Sequence, residues 1–72
     1  MTVSDIVKHA VPLTKIRIIE EYHMVAEMIV GKDDEDEKLG SYLNWEVEMI
    51  TAMYNVLEVY LWHYYQRKIK NY

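Results

Sequence analysis

The sequence of 72 residues has no cysteine, one proline and two glycines, and these scarcities limit the ways in which it can be stabilised. Without cysteine the chain can form neither a disulfide nor a thiolate metal site. One domain of this size is close to the limit at which a single hydrophobic core offsets chain entropy. A bound ligand, a bound metal or oligomerisation could still supply additional stability.

Phenylalanine is also absent, whereas the chain has seven tyrosines and two tryptophans. These side chains combine an apolar body with a polar tip and are enriched at protein interfaces. The formal net charge of −4 argues against a general polyanion binder but leaves room for a local basic patch. No signal-peptide pattern and no uninterrupted apolar run of spanning length is evident, so we expect a cytoplasmic protein without membrane contact.

An acidic segment bracketed by Gly31 and Gly40 divides the chain. It is typical of a solvated connector, although its carboxylates would also suit the first turn of a following helix. Apolar residues recur at helical spacing on both sides of it. The sequence therefore predicts one all-α domain with four segments: an N-terminal helical arm (1–12), a helix (13–30), the acidic connector (31–41) and a long helix (42–70).

The long predicted helix carries the clearest periodicity, a 4-3-4-3 spacing that indicates a packing seam. The residues on this seam are Leu43, Val47, Ile50, Tyr54, Leu57, Leu61 and Tyr64. A second apolar strip lies on the adjoining face, and a helical hairpin partner would cover only one of the two. We therefore predict a homodimeric helical bundle, or a higher oligomer, whose interface includes Trp45, Met49, Ile50, Met53, Val56 and Leu57.

Two local features of the first half leave alternatives open. Residues 14–30 fit a helical wheel, but Ile16 and Ile18 also alternate as in a strand over Thr14–Ile19. In residues 4–10, Ser4 is in position to cap a short amphipathic helix. Pro12 then either ends that helix or kinks a continuous one.

Charge indicates how the two copies would align. In a helical hairpin, the acidic connector occupies one end, and Lys15 and the basic C-terminus occupy the other. Side-by-side rods with such a charge separation favour the antiparallel alignment, because parallel alignment would bring like charges together. The sequence therefore predicts an antiparallel dimer.

Glu20, His23 and Glu27 are the residues most suggestive of a metal site. On a helix, the Glu-x-x-His spacing is the one used by carboxylate-bridged di-iron bundles, and a dimer could supply the remaining ligands. The glutamates lie on the polar side of the wheel, however, so we assign no metal and no cofactor. No serine or histidine arrangement indicates nucleophilic catalysis, and we expect a protein that is not an enzyme.

The C-terminal segment is the best candidate for a binding site because it interleaves aromatic and basic residues. The predicted partner-binding residues are Tyr60, Trp62, Tyr64, Tyr65, Arg67, Lys68 and Lys70. The function that we favour is a small non-enzymatic protein–protein interaction module, an adaptor or inhibitor of the size typical of phage or mobile-element regulators. The alternatives are nucleic-acid binding through the same patch and a dimeric carboxylate–histidine metal site.

Overall fold

The computed structural model describes residues 1–62, and within them the chain is a four-stranded mixed sheet with short helices on one side. The elements in chain order are α1 (Val3–His9), β1 (Lys15–Glu20), β2 (His23–Ile29), α2 (Glu35–Leu39), a 3₁₀ helix (Gly40–Asn44), β3 (Val47–Met53) and β4 (Val56–Leu61). None of the helices in this part of the chain is long and apolar enough to cross a membrane.

The sheet consists of two hairpins joined through their inner strands. β1 pairs antiparallel with β2, β3 pairs antiparallel with β4, and β1 pairs parallel with β4, which gives the strand order β2-β1-β4-β3. The turn Glu21–Tyr22 closes the first hairpin and Tyr54–Asn55 closes the second, all four residues with positive φ. Two positive φ values match the right-handed twist of the strands that such a turn joins.

The core lies between the helical side and one face of the sheet. The strands contribute residues such as Ile16, Ile18 and Val59, all fully buried, while α1 contributes Val3, Ile6 and Val7. Trp45 and Leu39 complete the layer, and the ring of Tyr42 lies 5.4 Å from that of Trp45. No polar or charged side chain among residues 1–62 is buried.

The prediction of an all-α helical hairpin is wrong. Helix 13–30 is instead the hairpin β1–β2, and most of the predicted helix 42–70 that lies within the described residues is the hairpin β3–β4. The dimeric helical bundle was built on that hairpin and is therefore wrong as well. Residues 63–70 of that helix lie outside the described residues.

The predicted charge separation also changes with the fold. Lys15 is the Cα partner of Ile29, so Lys15 lies at the same end of the sheet as the start of the acidic connector. In a helical hairpin these two would have been at opposite ends. The antiparallel alignment of two charged rods therefore has no basis in this structure.

The alternatives that the sequence left open for the first half agree better with the structure. The strand reading of residues 14–19 corresponds to β1, and Ile16 and Ile18 point together into the core. The amphipathic arm forms α1, which ends at His9, so Pro12 lies in a loop and kinks no helix. The acidic run opens α2, with Glu35, Asp36 and Glu37 in its first turn.

Candidate functional site

One face of the sheet has no layer of described residues over it, and we call it the open face. Strand alternation assigns residues to this face, because neighbours of the buried Ile16, Ile18 and Val59 must point to the other side. None of the assigned side chains is buried, whereas the buried side chains of the strands all lie on the core side. The open face comprises Lys15, Arg17, Ile19, Met24, Glu27, Ile29, Met49, Thr51, Met53, Val56, Glu58 and Tyr60.

A polar band crosses the middle of the open face. Glu27, Arg17, Glu58 and Thr51 are successive partners on β2, β1, β4 and β3. The Arg17 Nε donates to Glu27 Oε2 at 2.8 Å, and the Thr51 hydroxyl donates to Glu58 Oε1 at 3.1 Å. The Tyr60 hydroxyl also reaches Glu58 Oε1, at 3.3 Å. The band is therefore internally hydrogen-bonded and needs no outside group to satisfy these atoms.

An apolar row lies on one side of this band. Ile19 is the partner of Met24 on β2 and of Tyr60 on β4, and Tyr60 is in turn the partner of Met49 on β3. The two methionines are half exposed, at 54% for Met24 and 49% for Met49. Methionine is flexible and polarizable, and it is common at surfaces that bind other proteins. The row is a continuous apolar strip across all four strands.

Acidic side chains surround the end of the sheet nearest to the apolar row. Glu21 directly follows β1, while Glu46 and Glu48 flank the first residue of β3. The Glu46 carboxylate accepts a hydrogen bond from the N-terminal amine at 3.2 Å. Glu20 and Tyr42 interact at the same end, where burial, with a smaller contribution from Glu20, raises the pKa of Tyr42. The apolar row thus has an acidic rim.

The predicted partner-binding residues fall partly on this surface. Tyr60 lies in the apolar row, and the backbone N–H of Trp62 donates to the Glu46 carbonyl at 2.9 Å, beside the rim. The other predicted partner-binding residues, Tyr64, Tyr65, Arg67, Lys68 and Lys70, lie outside the described residues. Tyr60 is on a strand, however, and not on the predicted helix.

The predicted interface residues are divided between the two faces of the second hairpin. Met49, Met53 and Val56 lie on the open face, whereas Ile50 and Leu57 lie on the core side. Ile50 is nevertheless 39% exposed, because α1 does not extend over the outer strand. Trp45 is buried in the core, so a contact between proteins cannot use it without unfolding.

The residues considered as metal ligands do not converge. Glu20 and His23 are partners beside the first turn, but Glu27 lies four residues further along β2 and is paired with Arg17. The helical spacing on which the metal hypothesis depended does not exist here. Among residues 1–62, no three histidine or acidic side chains are grouped as metal ligands would be.

Sequence reasoning missed the part of the open face contributed by the first hairpin. Ile19 and Met24 were interpreted as helical residues, although the alternation of Ile16 and Ile18 already implied that Arg17 and Ile19 share the opposite face of a strand. The chain was compared with protein-family models, curated proteins and solved structures, and none of them matches it.

Proposed function

We propose that this chain is a small non-enzymatic protein–protein interaction module that binds its partner on the apolar row of the open face. The observation that carries the proposal is the continuous strip of Ile19, Met24, Tyr60 and Met49 on a sheet face that no other element of residues 1–62 covers. Tyrosine and methionine are enriched in the centres of protein interfaces, whose rims are polar. The hydrogen-bonded band beside the strip would fix the orientation of a partner at little cost in desolvation.

The charge of the chain defines the kind of partner. All twelve acidic side chains but only five of the eight basic ones lie in residues 1–62, which gives this part a formal charge of −7. The acidic rim lies next to the apolar row. Complementary charge speeds association and selects among partners. We therefore propose a protein partner that presents an apolar strip flanked by lysine or arginine.

A pair of matched substitutions tests this proposal. Met24→Lys places a charge in the apolar row, and Val11→Lys makes the same change in a loop, at a residue that is 72% exposed. Proteins captured from the source cell by the wild-type chain and by both variants would be identified, and the captured protein would be purified. We expect Met24→Lys to weaken its binding at least tenfold, equivalent to about 1.4 kcal/mol, while Val11→Lys leaves it unchanged.

Nuclear magnetic resonance of the purified complex locates the contact, and we expect shifts at Ile19, Met49 and Tyr60. A partner that binds Met24→Lys as tightly as the wild type would contradict the proposal. The basic segment 63–72 of the chain itself has the chemistry expected of the partner. Reversing the charges of Arg67, Lys68 and Lys70 would therefore strengthen partner binding if that segment competes for the open face.

A further inference from the structure

β3 is an edge strand with a regular, uncharged outer edge. Among residues 1–62 it pairs only with β4, and its register is continuous from Met49 to Met53. The bulge in β3 lies at its start, around Glu48, and no residue from Met49 to Met53 is charged. Natural edge strands are usually protected against pairing by charges, prolines or bulges within the strand. β2, the other edge, has a bulge opposite Ile18 and Ile19 and contains Glu27.

The hydrogen bonds of the sheet show which backbone groups of β3 point outward. The Lys15 N–H donates to the Asn55 carbonyl at 2.6 Å. The backbone N–H and C=O groups of Leu57 therefore point toward β1, and those of its neighbours Val56 and Glu58 point toward β3. In β3, their partners Met53 and Thr51 therefore direct their N–H and C=O groups toward β4. The alternate residues Ile50 and Ala52 direct theirs outward, away from the sheet at its edge.

We propose that a second copy of this chain pairs with β3 through its own β3, antiparallel about a twofold axis at Thr51. This register opposes each outward-facing Ile50 to Ala52 of the other copy, with both pairs able to exchange two backbone hydrogen bonds. On the open face, Thr51 meets its own equivalent, and each Met49 meets Met53. The two sheets join into one sheet of eight strands, and the open faces become continuous.

Charge and shape both support a second copy as the occupant. Glu48 would oppose Tyr54, so the two Glu48 carboxylates would be about 20 Å apart along the strand, beyond the screening length of about 8 Å in physiological salt. The acidic bodies can therefore approach along an uncharged seam. On the core side, Ala52 lines a groove of about 480 Å³ beside the end of α1. The large Ile50 side chain of the other copy would lie next to this small residue.

Two double variants test the pairing and its register together. Met49→Lys with Met53→Glu places opposite charges directly across the proposed seam, whereas Met49→Lys with Met53→Lys places like charges there. Within one chain the partners of these residues are the uncharged Tyr60 and Val56, so both variants have the same neighbours in β4. The Lys–Lys variant also changes the formal net charge from −4 to −2, whereas the Lys–Glu variant keeps −4, and this smaller net charge by itself would favour association.

Sedimentation of the full chain measures the outcome, with circular dichroism to verify that each variant is folded. We expect the wild type and the Lys–Glu variant to be dimers at tens of micromolar. The Lys–Lys variant should dissociate at least tenfold more readily. A wild type that stays monomeric at 0.5 mM, or a Lys–Lys variant that dimerises as tightly as Lys–Glu, would overturn the proposal. The dimer proposal can fail or succeed independently of the proposed function, because Met24→Lys leaves β3 unchanged and should not affect the dimer.

Discussion

At the scale of single residues, the turns hold the most unusual conformations of the molecule. Glu21 and Tyr22 have φ values of 50° and 68°, a region that side chains other than glycine and asparagine rarely adopt. Tyr22 is also 97% exposed, so packing does not stabilise its conformation. The turn is therefore held by the hairpin that it closes, at a local cost in backbone energy.

Replacing Tyr22 with glycine should stabilise the protein. Glycine removes the steric cost of the left-handed conformation, about 1–2 kcal/mol, and loses part of this gain to the greater entropy of the unfolded chain. We expect a net gain of about 0.5–1 kcal/mol in the free energy of unfolding, measured with urea. Tyr22→Ala is the control, because alanine keeps the strain and should give no gain. Equal stability of the two variants would show that the turn is not strained.

At the scale of elements, α1 begins with a reciprocal cap. The Thr2 hydroxyl accepts from the Asp5 N–H at 3.4 Å, and the Thr2 N–H donates to the Asp5 carboxylate at 2.9 Å. The Thr2 hydroxyl also donates to Asp5 Oδ2 at 3.2 Å. The hydrogen bond from the Thr2 backbone N–H and, to a smaller extent, the one from its hydroxyl lower the pKa of Asp5. The cap thus lies two residues before Ser4, which the sequence favoured as the capping residue, and it fixes where α1 starts against the sheet.

Thr2→Ala should therefore lower the stability by about 1 kcal/mol, whereas Ser4→Ala should have little effect. A carboxyl with a lowered pKa in the folded state stabilises the fold above its unfolded pKa and loses this effect as the pH falls through the folded value. Thr2→Ala keeps the backbone N–H but loses the hydroxyl that donates to the Asp5 carboxylate. The part of the stability difference that comes from this hydroxyl should therefore shrink in acid. Chemical unfolding at neutral and low pH measures both effects. A larger loss in Ser4→Ala would place the cap where the sequence analysis put it.

The sequence predicted α1 closely but misjudged the hairpins, and the spacing of apolar residues explains why. A separation of four residues, as between Leu57 and Leu61, returns to the same face in a helix and also in a strand, since four is even. A separation of three normally excludes a strand. The bulge at Glu48 shifts the alternation of β3, however, so Val47 and Ile50 lie on the same face. Between Val47 and Leu61, the 4-3-4-3 seam was thus produced by strands, a bulge and the turn at Tyr54.

The open face was only partly predictable for the same reason. Tyr60 was predicted as a partner-binding residue from the composition of the C-terminal segment, and Met49 as an interface residue from helical periodicity. The structure places the two as partners on neighbouring strands. Ile19 and Met24 reach the same row only because β1 pairs with β4 across a long sequence separation. No local periodicity carries this information, since the pairing of distant strands is decided by the core as a whole.

At the scale of the whole molecule, the parallel pairing of β1 with β4 ties the two hairpins together. Both strands are paired on two sides, whereas within the described residues 1–62 β2 and β3 are paired on one side. The core side of these two central strands holds the fully buried Ile16, Ile18 and Val59. The stability of the fold should therefore be concentrated in β1 and β4, with the outer strands opening first.

Amide hydrogen exchange should reveal this arrangement residue by residue. In Lys15–Glu20 and Val56–Leu61 we expect consecutive amides to exchange slowly, because neighbours on both sides bind them. In dilute solution, the β3 amides of Met49, Thr51 and Met53 should exchange slowly and those of Ile50 and Ala52 fast. If β3 pairs with β3 of a second copy, the amides of Ile50 and Ala52 become protected as the concentration rises. A continuous helix would instead protect every amide from Val47 to Leu61, including those of Tyr54 and Asn55, which lie in the turn. An unbroken run of slow amides across Tyr54 and Asn55 would therefore refute the sheet. If the amides of Ile50 and Ala52 stay unprotected at every concentration, the dimer is refuted while the fold remains intact.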